Sequence, residues 1–186
     1  MANIFLIHGA FGNPNENWFP WLKSELQLLE HTVFVPAFPT PDNQTLESWK
    51  QVFAQYTQHI DTNTIMIGHS LGPAFLLSIL EDCTTSIKAA YFVAGFTEPL
   101  GNQTFDQLNR TFIQKYFDWK KIQDNCKNFY LFHSDNDPYV PATISEHLAE
   151  QLQTESILIQ NAGHFNTPAG YTTFPQLLSE IKKELT

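Results

Sequence analysis

The stretch from Thr64 to Pro73 limits the folds open to this chain more than any other. Ile65-Met66-Ile67 is a short apolar run rich in β-branched residues. It stops at Gly68-His69-Ser70-Leu71-Gly72, and a helix-compatible apolar segment, Ala74 to Leu80, follows at once. A buried strand that turns straight into a helix through G-x-S-x-G leaves its serine at the tip of a tight turn. The flanking glycines fit that turn because a Cβ on either would crowd it. The serine hydroxyl is therefore expected at the C-terminal edge of a sheet, facing the positive end of the helix that begins beside it.

The rest of the chain repeats the same alternation. Asn3–His8, Thr32–Pro36, Lys88–Val93, Asn128–His133 and Ser156–Ile159 read as further short strands, apolar on both faces. Between them, Trp18, Trp21, Leu22, Leu26 and Leu29 mark one amphipathic helix. Leu46, Trp49, Phe53, Tyr56 and Ile60 mark a second, and Asp42, Asn43 and Thr45 offer it capping chemistry. Ile144, Leu148 and Leu152 mark a later helix, and Leu177, Leu178, Ile181 and Leu185 the last. Residues 96–125 interrupt the pattern with polar turns and scattered aromatics. They are read as an excursion over the sheet edge that ends in a crossover helix. Strands that alternate with helices in this way predict one three-layer α/β domain over residues 1–186. It has about six mostly parallel strands, helices on both faces and no large cap.

Composition removes several classes of function. The chain carries nineteen acidic residues against ten basic ones, a net charge of −9, so no basic stripe is available to displace phosphate counterions. Neither nucleic acid nor an anionic membrane is an expected partner. Cys83 and Cys126 are the only cysteines and form no C-x-x-C pair, which excludes a disulfide framework and a zinc site and fits a cytoplasmic protein. The N-terminal apolar run lacks a basic flank and is too short for a signal peptide or a membrane span. The sequons at Asn43, Asn102 and Asn109 are read as chance. There is no P-loop, no dinucleotide fingerprint and no H-E-x-x-H, so no cofactor or metal is expected.

The polar clusters all fall where strands end. His8-Gly9-Ala10 follows the first strand, Ser70 the third, Asp135 and Asp137 the fifth, and His164 the sixth. In a parallel sheet these positions share one edge, where ligands bind. Serine, then acid, then histidine is the chain order of α/β-hydrolases. A serine hydroxyl is a poor nucleophile until a neutral imidazole takes its proton, and the imidazole needs a carboxylate to fix its tautomer. His164 is placed for the base. Asp137 is preferred to Asp135 as the orienting acid because Asp-Pro opens the turn into the following segment. His8 and His69 are expected to order their loops, His133 to pack internally, and His31, His59 and His147 to be solvated. The backbone N–H groups of Ala10 and Leu71 are the expected oxyanion donors. Phe11 and Trp18 are candidate walls of an acyl pocket.

On these motifs the chain resembles the small serine hydrolases that include retinoblastoma-binding protein 9 and the bacterial YdeN-type proteins. The resemblance runs through His8-Gly9, Trp18-Phe19-Pro20-Trp21-Leu22-Lys23, Gly68-His69-Ser70-Leu71-Gly72, Asp137-Pro138 and Gly163-His164-Phe165. It implies a compact hydrolase core, a triad at Ser70, Asp137 and His164, and esterase-like or peptidase-like activity on a small-molecule or peptide acyl substrate. Two departures stand out. Gly9-Ala10-Phe11-Gly12 is less glycine-rich than the animal proteins' loop, and there is no L-x-C-x-E sequence to bind a pocket protein. The first expectation is therefore a serine hydrolase cleaving a small ester, thioester or amide. The rivals are an acyltransferase using the same acyl-enzyme and a non-catalytic interaction module on the same scaffold.

Overall fold

A computed structural model describes residues 1–185; Thr186, the last residue of the expected domain, lies outside the described residues. Six strands form one sheet: β1 (Asn3–Ile7), β2 (Thr32–Phe34), β3 (Ile65–His69), β4 (Ile87–Val93), β5 (Cys126–Ser134) and β6 (Ser156–Ile159). Their order is β2-β1-β3-β4-β5-β6, and every pair is parallel. The chain runs outward from β1 to β2, then returns to place β3 on the other side of β1. The crevice between β1 and β3 is thus where the winding reverses, and it opens at the strands' C-terminal ends.

Alternation along each strand feeds two cores. Phe5, Ile7, Met66, Ala90 and Phe92 face one layer of helices. That layer holds α2 (Leu46–Phe53), α3 (Gly72–Asp82), α4 (Gln103–Ile113), α5 (Trp119–Asp124) and α6 (Ala142–Gln151). Ile4, Leu6, Ile65, Ile67, Tyr91 and Val93 face α1 (Phe19–Leu28) and α7 (Pro175–Leu185) on the other side. Each core has a fully buried tryptophan, Trp49 and Trp18 respectively. A side chain of that size removes ~150–250 Å² from water, roughly 4–6 kcal/mol of gross transfer free energy. No helix among the described residues is long and apolar enough to cross a membrane.

Three segments differ from the sequence reading. β2 ends at Phe34, two residues early, just before Val35-Pro36, where proline removes a backbone donor. The helix expected to run to Ile60 stops at Phe53 and tightens into a 3-10 turn over Ala54–His59. There Gln55, Thr57 and Gln58 bond the carbonyls three residues back, competing with the α-helical ladder. The 96–125 excursion holds two helices rather than one, and α4 packs into the helical layer while its Phe105 and Asn109 reach the cavity at the sheet edge. Asn102 caps α4 by accepting from the Thr104 and Phe105 N–H groups. Phe112 packs edge-on to Trp49, with ring centroids 4.9 Å apart.

Candidate active site

Ser70 sits at the end of β3 with φ of 60°, a left-handed conformation costly for a residue with a Cβ. The turn is held because the Ser70 N–H donates to the Val93 carbonyl at 2.9 Å, continuing the β3–β4 ladder one residue past the strand. A Cβ on Gly72 would lie 2.5 Å from the Ile7 carbonyl oxygen, so only glycine lets α3 start this close to β1. The N-terminus of α3 therefore opens directly behind Ser70. On the facing loop, a Cβ on Gly9 would lie 2.7 Å from Ser70 Cβ. Neither the Ala10 nor the Leu71 N–H donates to another group among the described residues.

His164 stands on a loop that is clamped from three sides. Asp135, Ser134 and Asn136, at the end of β5, accept from the Asn161, Ala162 and Gly163 N–H groups at 2.7, 3.0 and 2.7 Å. Three adjacent side chains thus fix three adjacent peptides immediately before His164. Behind the loop, His69 Nε2 donates to the His164 carbonyl at 2.8 Å and Trp18 Nε1 donates to the Phe165 carbonyl at 3.0 Å. The His164 ring itself bonds Asp137 through Nδ1···Oδ2 at 2.8 Å. Asp137, with a side chain 2% exposed, is anchored in turn by the Tyr139 and Val140 N–H groups at 2.8 and 3.1 Å. A carboxylate accepting at Nδ1 puts the imidazole proton there and leaves Nε2 with its lone pair. Asp135, the competing acid, is occupied by the loop.

Burial sets the electrostatics of the neighbours. His69 is pushed down to about 3, first by desolvation and then by the nearby His164, so it is a neutral donor to the loop. His8 is also pushed down by burial. Its Nε2 accepts from the Phe38 N–H at 3.0 Å, which places its proton on Nδ1, next to the Gly9 carbonyl. His133 is buried, as expected for internal packing, with its Nδ1 unpartnered. The solvated reading fails for His31, whose Nδ1 accepts from the Ala2 N–H, and for His59, which stacks on Phe34.

A cavity of about 320 Å³ opens at this edge of the sheet, and Ser70 and His164 both line it. Ala10 and the half-exposed Phe11 form part of its wall, with Phe105 against Phe11 at 6.1 Å between centroids. Trp18 does not line it. That side chain is fully buried beneath His69 and the Phe165 loop, so the expected pocket wall is a core residue whose indole N–H holds the histidine loop. Leu71 is buried too and does not line the cavity. Glu16 and Asn109 line it as well, neither singled out for the site by the sequence. Glu16 has its carboxyl raised by burial, and Asn109 was visible only as part of a sequon; at 2% exposure it is no glycan acceptor. Among the described residues no group of three or more His, Cys, Asp or Glu is arranged to hold a metal ion.

The profile of the family described as "Serine hydrolase" matches residues 4–183. The chain is 30% identical over 174 residues to the hydrolase YdeN of Bacillus subtilis (strain 168), covering 92% of this chain and 90% of that protein. It is 26% identical over 170 residues to the serine hydrolase RBBP9 of Rattus norvegicus, covering 91% and 87%. The crystal structure of the B. subtilis ydeN gene product superimposes with a TM-score of 0.93 at 28% identity, over 100% of this chain and 99% of that one.

Proposed function

The chain belongs to the serine hydrolase family, as its motifs led us to expect, and from that premise we propose that it hydrolyses a small ester, thioester or amide through an acyl-enzyme on Ser70. Ser70 Oγ attacks the acyl carbonyl while His164 Nε2 takes its proton. Asp137, fixed by two backbone N–H groups, holds the Nδ1 proton and stabilises the imidazolium that forms. The tetrahedral oxyanion falls between the unengaged N–H groups of Ala10 and Leu71, at the positive end of α3. Collapse of the intermediate expels the alcohol, thiol or amine, which leaves with the proton from His164. Water then attacks the acyl-enzyme by the same route and releases the carboxylic acid.

The observation that carries this reading is the 2.8 Å Asp137–His164 bond on the wall of the cavity that also holds a left-handed serine. A fluorophosphonate probe is expected to label the protein and to leave Ser70→Ala unlabelled. Equal labelling of the two would overturn the assignment of Ser70 as nucleophile.

A further inference from the structure

A chain of polar groups, exposed at Phe11 and buried at Gln44 and Asn109, runs from the loop after β1 to the α4 side of the cavity. The Phe11 N–H donates to Thr40 Oγ1 at 2.6 Å. Thr40 Oγ1 donates to Gln44 Oε1 at 2.5 Å, and Gln44 Nε2 donates to Asn109 Oδ1 at 2.7 Å. Gln44 is 5% exposed and Asn109 2%. The first and last bonds join residues 29 and 65 apart in sequence, so the chain ties together three segments of the fold.

The direction of this chain is fixed at one end. The Thr40 hydroxyl accepts from the Phe11 N–H, and its 2.5 Å separation from Gln44 is that of an O–H···O bond, too short for an amide N–H, so its own proton goes to Gln44 Oε1. Gln44 must then turn its carbonyl to Thr40 and its NH₂ to Asn109. Asn109 must turn its carbonyl to Gln44, which leaves its NH₂ as the free end. That Nδ2 meets no acceptor among the described residues, and Asn109 lines the cavity. Each bond polarises the next, so the last donor is stronger and better oriented than a lone surface amide. The lining includes no Lys or Arg, and its Glu16 carboxylate repels anions.

We propose that Asn109 Nδ2 is a specificity-determining donor that selects acyl groups carrying a neutral acceptor oxygen, such as a keto or amide carbonyl. Thr40 and Gln44 are positioning residues that fix its polarity. The inference rests on the hydrolase reading above. The leaving group departs on the side of His164, against which Tyr139 packs. Asn109, on α4, lines the same cavity as Ser70 and His164, so it borders the space that an acyl group on Ser70 would fill. An acyl carbonyl placed there replaces water on a buried amide that would otherwise be desolvated without a partner.

The test compares p-nitrophenyl 4-oxopentanoate with its isostere p-nitrophenyl 4-methylpentanoate, each kcat/KM divided by the uncatalysed hydroxide rate. The wild type should favour the keto ester about tenfold, the worth of one well-placed hydrogen bond. Asn109→Leu should bring the ratio close to one. Gln44→Glu, which keeps an acceptor for Thr40 but presents a carboxylate to Asn109, should turn the Asn109 NH₂ away from the cavity and lower the ratio as well. It gives the reading if Asn109→Leu does not fold. The same ratio in all folded proteins overturns the proposal. Absence of any Ser70-dependent turnover by the wild type refutes the hydrolase reading, and this inference with it.

Discussion

His69 offers a direct test of how the histidine loop is held. It is 4% exposed and packs against Trp18 and His164. Burial takes it from the ordinary histidine value of 6.5 to about 3. The unfolded chain therefore binds a proton on His69 well before the folded one does. The stability tied to its neutrality is present above about pH 6.5 and is lost as pH falls toward 3. Between pH 7 and pH 5 the loss amounts to ~2 kcal/mol, because the unfolded state gains protons over most of that window while the folded state gains almost none. His8, also depressed by burial, adds to the same trend in every variant that keeps it. His69→Gln retains a donor for the His164 carbonyl but cannot titrate. Urea unfolding of both proteins at pH 7 and pH 5 isolates the effect. The wild type should lose ~2 kcal/mol more than His69→Gln across the interval, whatever the variant's baseline cost. Equal losses would refute the reasoning, since His69 would then carry its proton equally in the folded and unfolded states.

Two further outcomes follow from the site geometry. Asp137→Asn keeps the shape of the turn but no longer fixes the Nδ1 proton, so kcat on a p-nitrophenyl ester should fall about 10⁴-fold with the far-UV circular dichroism unchanged; activity within tenfold of the wild type would show that Asp137 does not orient His164. Gly9→Ala places a methyl 2.7 Å from Ser70 Cβ and 3.1 Å from its Oγ, both on backbone-anchored segments. Fluorophosphonate labelling should slow about 10²-fold, as expected for a reacting atom displaced by ~1 Å, with a stability cost of ~1–3 kcal/mol in urea. Labelling at the wild-type rate would show that the loop gives way instead.

The two cores of this fold were legible because parallel strands buried on both faces must be apolar throughout, and the helices between them must carry a stripe. The positions of Ser70, Asp137 and His164 were legible for the same reason. Each lies within five residues of a strand's C-terminal end, and a parallel sheet brings strand ends together. What local pattern could not convey is direction. Trp18 and Phe11 are both aromatics beside turns after β1, yet one has its indole N–H spent on the Phe165 carbonyl and the other stands half exposed at the cavity. Asp135 and Asp137 are two residues apart on one turn. One clamps a peptide across the β5–β6 ends and the other meets an imidazole, a division settled only by which N–H groups the sixth strand's loop presents. The chain from Phe11 to Asn109 had no signature at all, because hydrogen-bond polarity passes through space between segments 29 and 65 residues apart. An elbow motif names a nucleophile because sterics of a single turn demand it. The donors and acceptors along the cavity wall are set by cumulative constraints across several segments, so on the proposed hydrolase reading substrate preference has to be read from the bonded network rather than from the motif.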